Sequence, residues 1–152
     1  MIIVDSHCHS GHNWFEPVEL LLYQMDANEV DKAVLICARI EHNPGNNDFV
    51  AESVRAHPDR LVQFADVDCS WSDTYHTPGA ADRLAEAAER YQLKGFTHYL
   101  KSDVEWFESA EGNRFFETAD ELGLIASLAL GPAWQPALRQ LAQRFPHIPF
   151  LC

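Results

Sequence analysis

Asp5, Ser6, His7, Cys8 and His9 lie together within the first ten residues, directly after the apolar run Ile2-Ile3-Val4. On an extended strand, residues two apart point to the same side, so Asp5, His7 and His9 are expected to converge. Two imidazoles at that spacing have Cα atoms roughly 7 Å apart. Their ring nitrogens can then reach one ion at about 2.0–2.1 Å. A divalent metal held there lowers the pKa of its water and polarises a carbonyl. His7 and His9 are the candidate metal ligands. Asp5 is the candidate partner for the other ring N–H of a ligand histidine, or a neighbour of the ion itself. A histidine pair arises readily in a chain with eight histidines. The acid two residues earlier, after an apolar strand, favours a metal site over the alternative of two ordinary loop histidines. Ser6 and His7 are not a nucleophilic dyad, because adjacent strand residues face opposite ways.

Several polar and aromatic residues are candidates for substrate contact. His12 and Trp14 follow the histidine pair on a loop. His98, near the end of a fourth apolar run, and Lys101 could bind a substrate carboxylate, and Arg39 stands in a similar place after the second run. Trp71, Trp106 and Trp134 either line an aromatic pocket or pack helices and loops. His42, His57, His76 and His147 fall in turns, a helix end and polar connections, and carry no catalytic signal.

The elements that would position these groups alternate. Pro17 opens a first helix with Leu21, Leu22 and Met25 on its inner stripe. Lys32 to Ala38 is a continuous apolar run, as in a strand buried on both faces. Asn47 or Asp48 can cap a second helix, with Phe49, Val50, Ser53 and Val54 on one face, ending at His57-Pro58. Leu61 to Val67 is a third strand, and 69–79 reads as a loop. Ala80 to Tyr91 is a third helix and Gly95 to Tyr99 a fourth strand. Gly112 to Leu122 is a fourth helix with Phe115, Phe116, Ala119 and Leu122 inward, stopped by Gly123. Leu124 to Leu130 is a fifth strand, Pro136 to Phe145 a fifth helix, and Ile148 to Cys152 the start of a sixth strand. Alternation at this spacing predicts βαβ units and a parallel α/β sheet, closed toward a (β/α)8 barrel or doubly wound. The absence of GxGxxG and GxxxxGK[ST] weakens the nucleotide-binding form.

With 152 residues the chain is long enough for one domain but short for a barrel, which needs eight βα units and typically about 250 residues. Five units and a trailing strand predict an incomplete TIM-type barrel over 1–152, truncated at the C-terminus. The uncovered sixth strand predicts self-association into a homo-oligomer. Net charge is −12, with 23 acidic against 11 basic residues, which argues against a nucleic-acid partner. No apolar run approaches the roughly 20 residues a bilayer requires. Four dispersed cysteines without a CxxC pair, and no basic leader, predict reduced thiols and a cytoplasmic setting.

Taken in order, several segments resemble the amidohydrolase superfamily, in its amidohydrolase-related (amidohydrolase 2) branch. IIVDSHCH resembles the DxHxH opening, and VDKAVL (30–35) the second strand. Asn47 followed by HPDRLVQFADVD (57–68) resembles the third-strand region. LKGF (93–96), ADELGLIASLALGP (119–132) and FPHIPFLC (145–152) continue the likeness. The resemblance implies a (β/α)8 barrel with a divalent ion, Zn²⁺ first and Mn²⁺ second. It implies a hydrolase acting on a small molecule with an amide, ester or lactone bond, or a carboxy-lyase acting on an aromatic acid. It makes His7 and His9 the first two metal ligands. The family adds histidines on the fifth strand and after the sixth, and an aspartate after the eighth that serves as ligand and general base. Here the fifth strand has no histidine, with Ala129 at the expected place, and the general base is expected beyond Cys152. The phosphoesterase-like and DNase-like relatives that share DxHxH fit less well, given VDKAVL, PDRL and the acidic charge. The alternative from another class is a catalytically inactive fragment or binding module of the same fold.

Overall fold

The computed structural model describes residues 1–40, 42–67, 78–99 and 104–152. Six strands alternate with five helices: β1 (Val4–Cys8), α1 (Val18–Ala27), β2 (Lys32–Ile36), α2 (Asn46–Ala56), β3 (Leu61–Asp66), α3 (Ala80–Tyr91), β4 (Gly95–Tyr99), α4 (Ala110–Glu121), β5 (Ile125–Ala129), α5 (Gln135–Arg144) and β6 (Phe150–Leu151). All neighbours pair in parallel, in the order β1-β2-β3-β4-β5-β6. This sequential order separates the two architectures left open by the pattern. A doubly wound sheet reverses its strand order at a switch point. Here nothing reverses, and the sheet is an incomplete (β/α)8 barrel. Its curl brings the far edges toward each other, since Ser6 and His7 of β1 share a cavity with Leu151 and Cys152 at β6.

The continuous apolar run of β2 follows from burial on two sides. Ala33 and Leu35 pack with Val18, Met25 and Val50 of α1 and α2. Val34 and Ile36 face the other way and meet Phe64. On the opposite half, Phe96, Ala126 and Leu128 pack beneath Phe115 and Phe116 of α4 and Leu141 of α5. Gly95 lies where β4 packs closely between β3 and β5. A Cβ there would stand 2.6 Å from the Ile125 carbonyl oxygen and 2.7 Å from the Phe64 ring.

Two expectations about the helices are corrected. Asn47 does not cap α2: the N-cap is Gly45, with no side-chain cap bond. Asn47 turns into the barrel wall instead. Leu122 is exposed, because α4 ends at Glu121 and the αL turn at Gly123 lifts it out. A 3-10 turn at Val104–Glu108 precedes α4 and buries Trp106 and Phe107. Among the described residues no helix is long and apolar enough to cross a membrane.

Candidate metal centre

The register of β1 against β2 slips between Asp5 and Cys8. Asp5 stands opposite Ala33, yet Cys8 stands opposite Leu35. Three steps on one strand against two on the other constitute a bulge. The bulge breaks the two-residue alternation that would have aligned Asp5 with both histidines. Cys8 remains on the helix side, in the cluster with Ala33 and Leu35. His7 and His9 turn toward each other.

Their Nε2 atoms are 3.2 Å apart, and the rings meet edge to face at 5.0 Å between centroids. His9 Nδ1 lies 2.8 Å from the Ile36 carbonyl oxygen. A carbonyl only accepts, so Nδ1 carries the hydrogen and Nε2 presents its lone pair. Phe15 stacks on the other face of His9 at 4.7 Å, nearly parallel, and Trp14 stacks on Phe15 at 5.4 Å. Burial lowers the His9 pKa below its ordinary value, and His7 adds to that. The hydrogen bond to Ile36 opposes both. His9 is thereby kept neutral, the form that ligates a metal.

Two nitrogens bound at about 2.0–2.1 Å to one ion, at angles between octahedral and tetrahedral, stand roughly 2.8–3.4 Å apart. The observed 3.2 Å falls inside that window. The pair fits two positions of a divalent metal's shell. No third His, Cys, Asp or Glu joins it among the described residues. Ala129 ends β5 and lines, with Ser6, His7, Ser127, Leu151 and Cys152, a cavity of about 370 Å³ beside the pair.

Asp5 stands apart from the ring nitrogens. Its carboxylate accepts the backbone N–H of His7 at 3.0 Å. It also bonds the Cys8 thiol, whose pKa is pushed up to about 12 by burial first and Asp5 second. The Ile36 carbonyl takes the role of orienting His9 that the motif had suggested for Asp5. The bulge is the reason.

The other candidates divide. Trp14 is exposed, holds φ at +70°, and lines a cavity of about 430 Å³ with Asn13 and His42. His12 packs edge-on against Phe49 at 4.5 Å, which anchors the loop to α2. His98 is wholly buried, stacked on Trp106 at 5.4 Å and beside Phe115. Alternation along β4 puts it with Phe96 on the helix side, so it does not face the mouth. Lys101, Trp71 and His76 lie outside the described residues. Trp134 is buried in the helix-side cluster with Trp106. Arg39 follows β2 at the mouth. Its Nη2 donates to the Val67 carbonyl at 3.1 Å and its backbone N–H to Asp66 Oδ2 at 2.9 Å.

Sequence reasoning missed two side chains of α2 that bind the strand ends. Asn46 accepts from the Ala38 N–H and donates to the Ser10 carbonyl, both at 2.8 Å. Asn47 donates to the Asp66 carbonyl at 2.7 Å and accepts its N–H at 3.1 Å. The available signal was an adjacent pair of asparagines in a first helical turn whose cap is already supplied by glycine.

A family model described as amidohydrolase matches residues 4–151. A comparison with curated proteins finds no match. Among solved structures, the chain is similar to 2,6-dihydroxybenzoate decarboxylase from Rhizobium, with a TM-score of 0.67 at 17% identity over 98% of this chain and 64% of that one. It is similar to 5-carboxyvanillate decarboxylase from Novosphingobium aromaticivorans, complexed with manganese and 4-hydroxy-3-methoxy-5-nitrobenzoic acid, with a TM-score of 0.67 at 13% identity over 98% and 64%. It is also similar to 4-oxalomesaconate hydratase from Rhodopseudomonas palustris, with a TM-score of 0.68 at 14% identity over 98% and 61%. At these identities the likeness is one of fold. The chain spans 64–66% of the length of the first structures it matches, just under two thirds.

Proposed function

The chain belongs to the amidohydrolase family, and on that premise we propose that it carries the histidine pair of a metal-dependent enzyme acting on a small carbonyl or carboxylate compound. The reaction is hydrolysis of an amide, ester or lactone bond, or decarboxylation of an aromatic acid. The observation that carries this reading is the approach of His7 and His9 Nε2 to 3.2 Å, with the His9 tautomer held by Ile36.

In this proposal His7 and His9 are two ligands of a divalent ion, Zn²⁺ or Mn²⁺. The manganese in the carboxyvanillate decarboxylase supports Mn²⁺ as a candidate. When bound, such an ion supplies Lewis acidity toward a substrate oxygen. Phe15 covers one face of His9. Trp14 continues the stack to the surface and offers a ring face to a planar substrate. Arg39 brings positive charge to the end of β2, and its buried Nε has no hydrogen-bond partner among the described residues. A substrate carboxylate is a fitting partner for it.

One observation favours a second reading, a non-catalytic module of the same fold: the lack of a third ligand beside the pair among the described residues. Metal analysis of the purified chain, together with His7→Ala, separates the two. Bound Zn²⁺ or Mn²⁺ that disappears in His7→Ala supports the enzyme. A metal-free chain whose stability and activity toward dihydroxybenzoates and simple lactones are unchanged by His7→Ala would falsify it.

A further inference from the structure

We propose that Asn46 is a positioning residue for His9, setting the imidazole that the preceding reading assigns to a metal. The two stretches of chain that meet at the His9–Ile36 hydrogen bond are the end of β1 and the end of β2. One carboxamide holds both. Asn46 Oδ1 accepts the N–H of Ala38, two residues past Ile36, at 2.8 Å. Asn46 Nδ2 donates to the carbonyl of Ser10, the residue after His9, at 2.8 Å. Asn46 is completely buried. The His9 Nδ1 contact to the Ile36 carbonyl, also 2.8 Å, closes a small circuit: His9, Ser10, Asn46, Ala38, Ile36.

The surroundings leave that amide little freedom. Gly11 packs directly against it, and a Cβ there would stand 3.2 Å from Asn46 Nδ2 and 2.5 Å from Asn43 Nδ2. The next turn of the loop is pinned as well. The Ser10 hydroxyl donates to the Glu16 carbonyl at 2.8 Å and the Gly11 N–H donates to the same oxygen at 3.3 Å. Apart from the His9 imidazole itself, the short side-chain tie between the β1 end and β2 among the described residues runs through Asn46. Outer hydrogen bonds that orient a ligating histidine change metal affinity by about 10–100-fold when removed.

Asn47 provides a matched comparison within the same helical turn. It is buried and makes two side-chain hydrogen bonds to strand backbone, but to Asp66 of β3 rather than to the histidine-bearing strand. A purely structural role predicts that Asn46→Ala and Asn47→Ala act alike. A positioning role predicts that they part.

The test is a Co²⁺ titration of the chain and both variants, followed by the visible d–d spectrum, with thermal melting in parallel. Both variants are expected to melt earlier by comparable amounts. Asn46→Ala is expected to weaken Co²⁺ binding about tenfold and to change the band shape, while Asn47→Ala stays within about twofold of the parent. Equal affinities in the two variants overturn the proposal. The isosteric Asn46→Asp keeps the acceptor for Ala38 and loses the donor to Ser10; it serves if Asn46→Ala does not fold, with the same expected direction. Imidazole ¹⁵N shifts of the metal-free proteins give a second readout. The Nδ1–H signature of His9 should be lost in the Asn46 variant and kept in Asn47→Ala. Should the parent take up no Co²⁺, the metal reading fails on its own. The imidazole shifts then decide the positioning claim, and an unaltered His9 in the Asn46 variant refutes it.

Discussion

Asn47→Ala tests the way α2 is fastened to the barrel wall, and its cost can be worked from the contacts. The substitution deletes the donor to the Asp66 carbonyl and the acceptor for the Asp66 N–H. Asp66 is fully buried, so both backbone groups lose this bond away from water. Each buried bond lost costs about 1–3 kcal/mol, giving about 2–6 kcal/mol for the pair and about 4 kcal/mol as a central figure. Alanine has the better helix propensity, which returns at most about 0.7 kcal/mol. The bond from Gln63 Nε2 to the Asn47 carbonyl uses the main chain and survives. For a chain of this length, 1 kcal/mol moves Tm by about 2–4 °C, so Tm should fall by about 8–16 °C. Against a typical total of about 5–15 kcal/mol, that is a large fraction of the stability. Thermal unfolding followed by circular dichroism, with urea denaturation to check that the slope m is unchanged, measures it. A loss under about 1 kcal/mol would mean that water reaches Asp66 and that the asparagine is not the fastening we describe.

Three further outcomes are expected. The Cys37 thiol is pushed up to about 12, chiefly by complete burial, and that of Cys8 to about 12 by burial and Asp5; peptide mapping after alkylation at pH 8 should find both unmodified in the folded chain and the exposed Cys152 modified. The His9 pKa lies below its ordinary 6.5 in the fold, so the unfolded chain takes up the proton first as pH falls. This group's contribution to stability is full above that value and drains as pH drops toward and through the folded pKa; Tm of the metal-free chain should fall less steeply between pH 7 and pH 5 in His9→Gln, and an identical slope counts against the lowered pKa. Trp14→Gly removes a left-handed strain of about 1–2 kcal/mol and an aromatic stack of about 0.5–1.5 kcal/mol, so stability should change by no more than about 1.5 kcal/mol. KM for an aromatic acid should rise with kcat little changed; an unaltered KM removes Trp14 from substrate binding.

Where local chemistry settles an element, the sequence was readable. Ala80–Tyr91 and Gly95–Tyr99 were expected with the same bounds that the structure has, since glycines and a leucine-alanine stripe mark them. The apolar run of β2 announced a strand buried on both faces. The side each residue takes was less legible. The motif argument assumed unbroken alternation from Asp5 to His9, and one extra residue in β1 removes Asp5 from the set. His98 was expected at the mouth because it sits near a strand end. The phase of β4 is set by Phe96 and Phe115 across the helix layer, which no local pattern reveals. Asn47 has the type and place of a cap. Only the long-range contact to Asp66 shows its actual partner.

The hydrophobic interior is divided unevenly, and the division has a thermodynamic consequence. The larger helix-side cluster, built on Phe96, Trp106, Phe107, Phe115, Phe116 and Trp134, belongs to β4, β5 and the helices over them. The histidine pair rides on the other half, whose cluster has Val18, Met25 and Val50 as its helix members and, among the described residues, no fully buried aromatic. Amide exchange near Ser6–Ser10 should therefore proceed through partial openings well below the global unfolding free energy, while β4 and β5 exchange only with the whole. A cation clasped by both imidazoles would act on this looser half as a rivet, slowing exchange there far more than across the aromatic side.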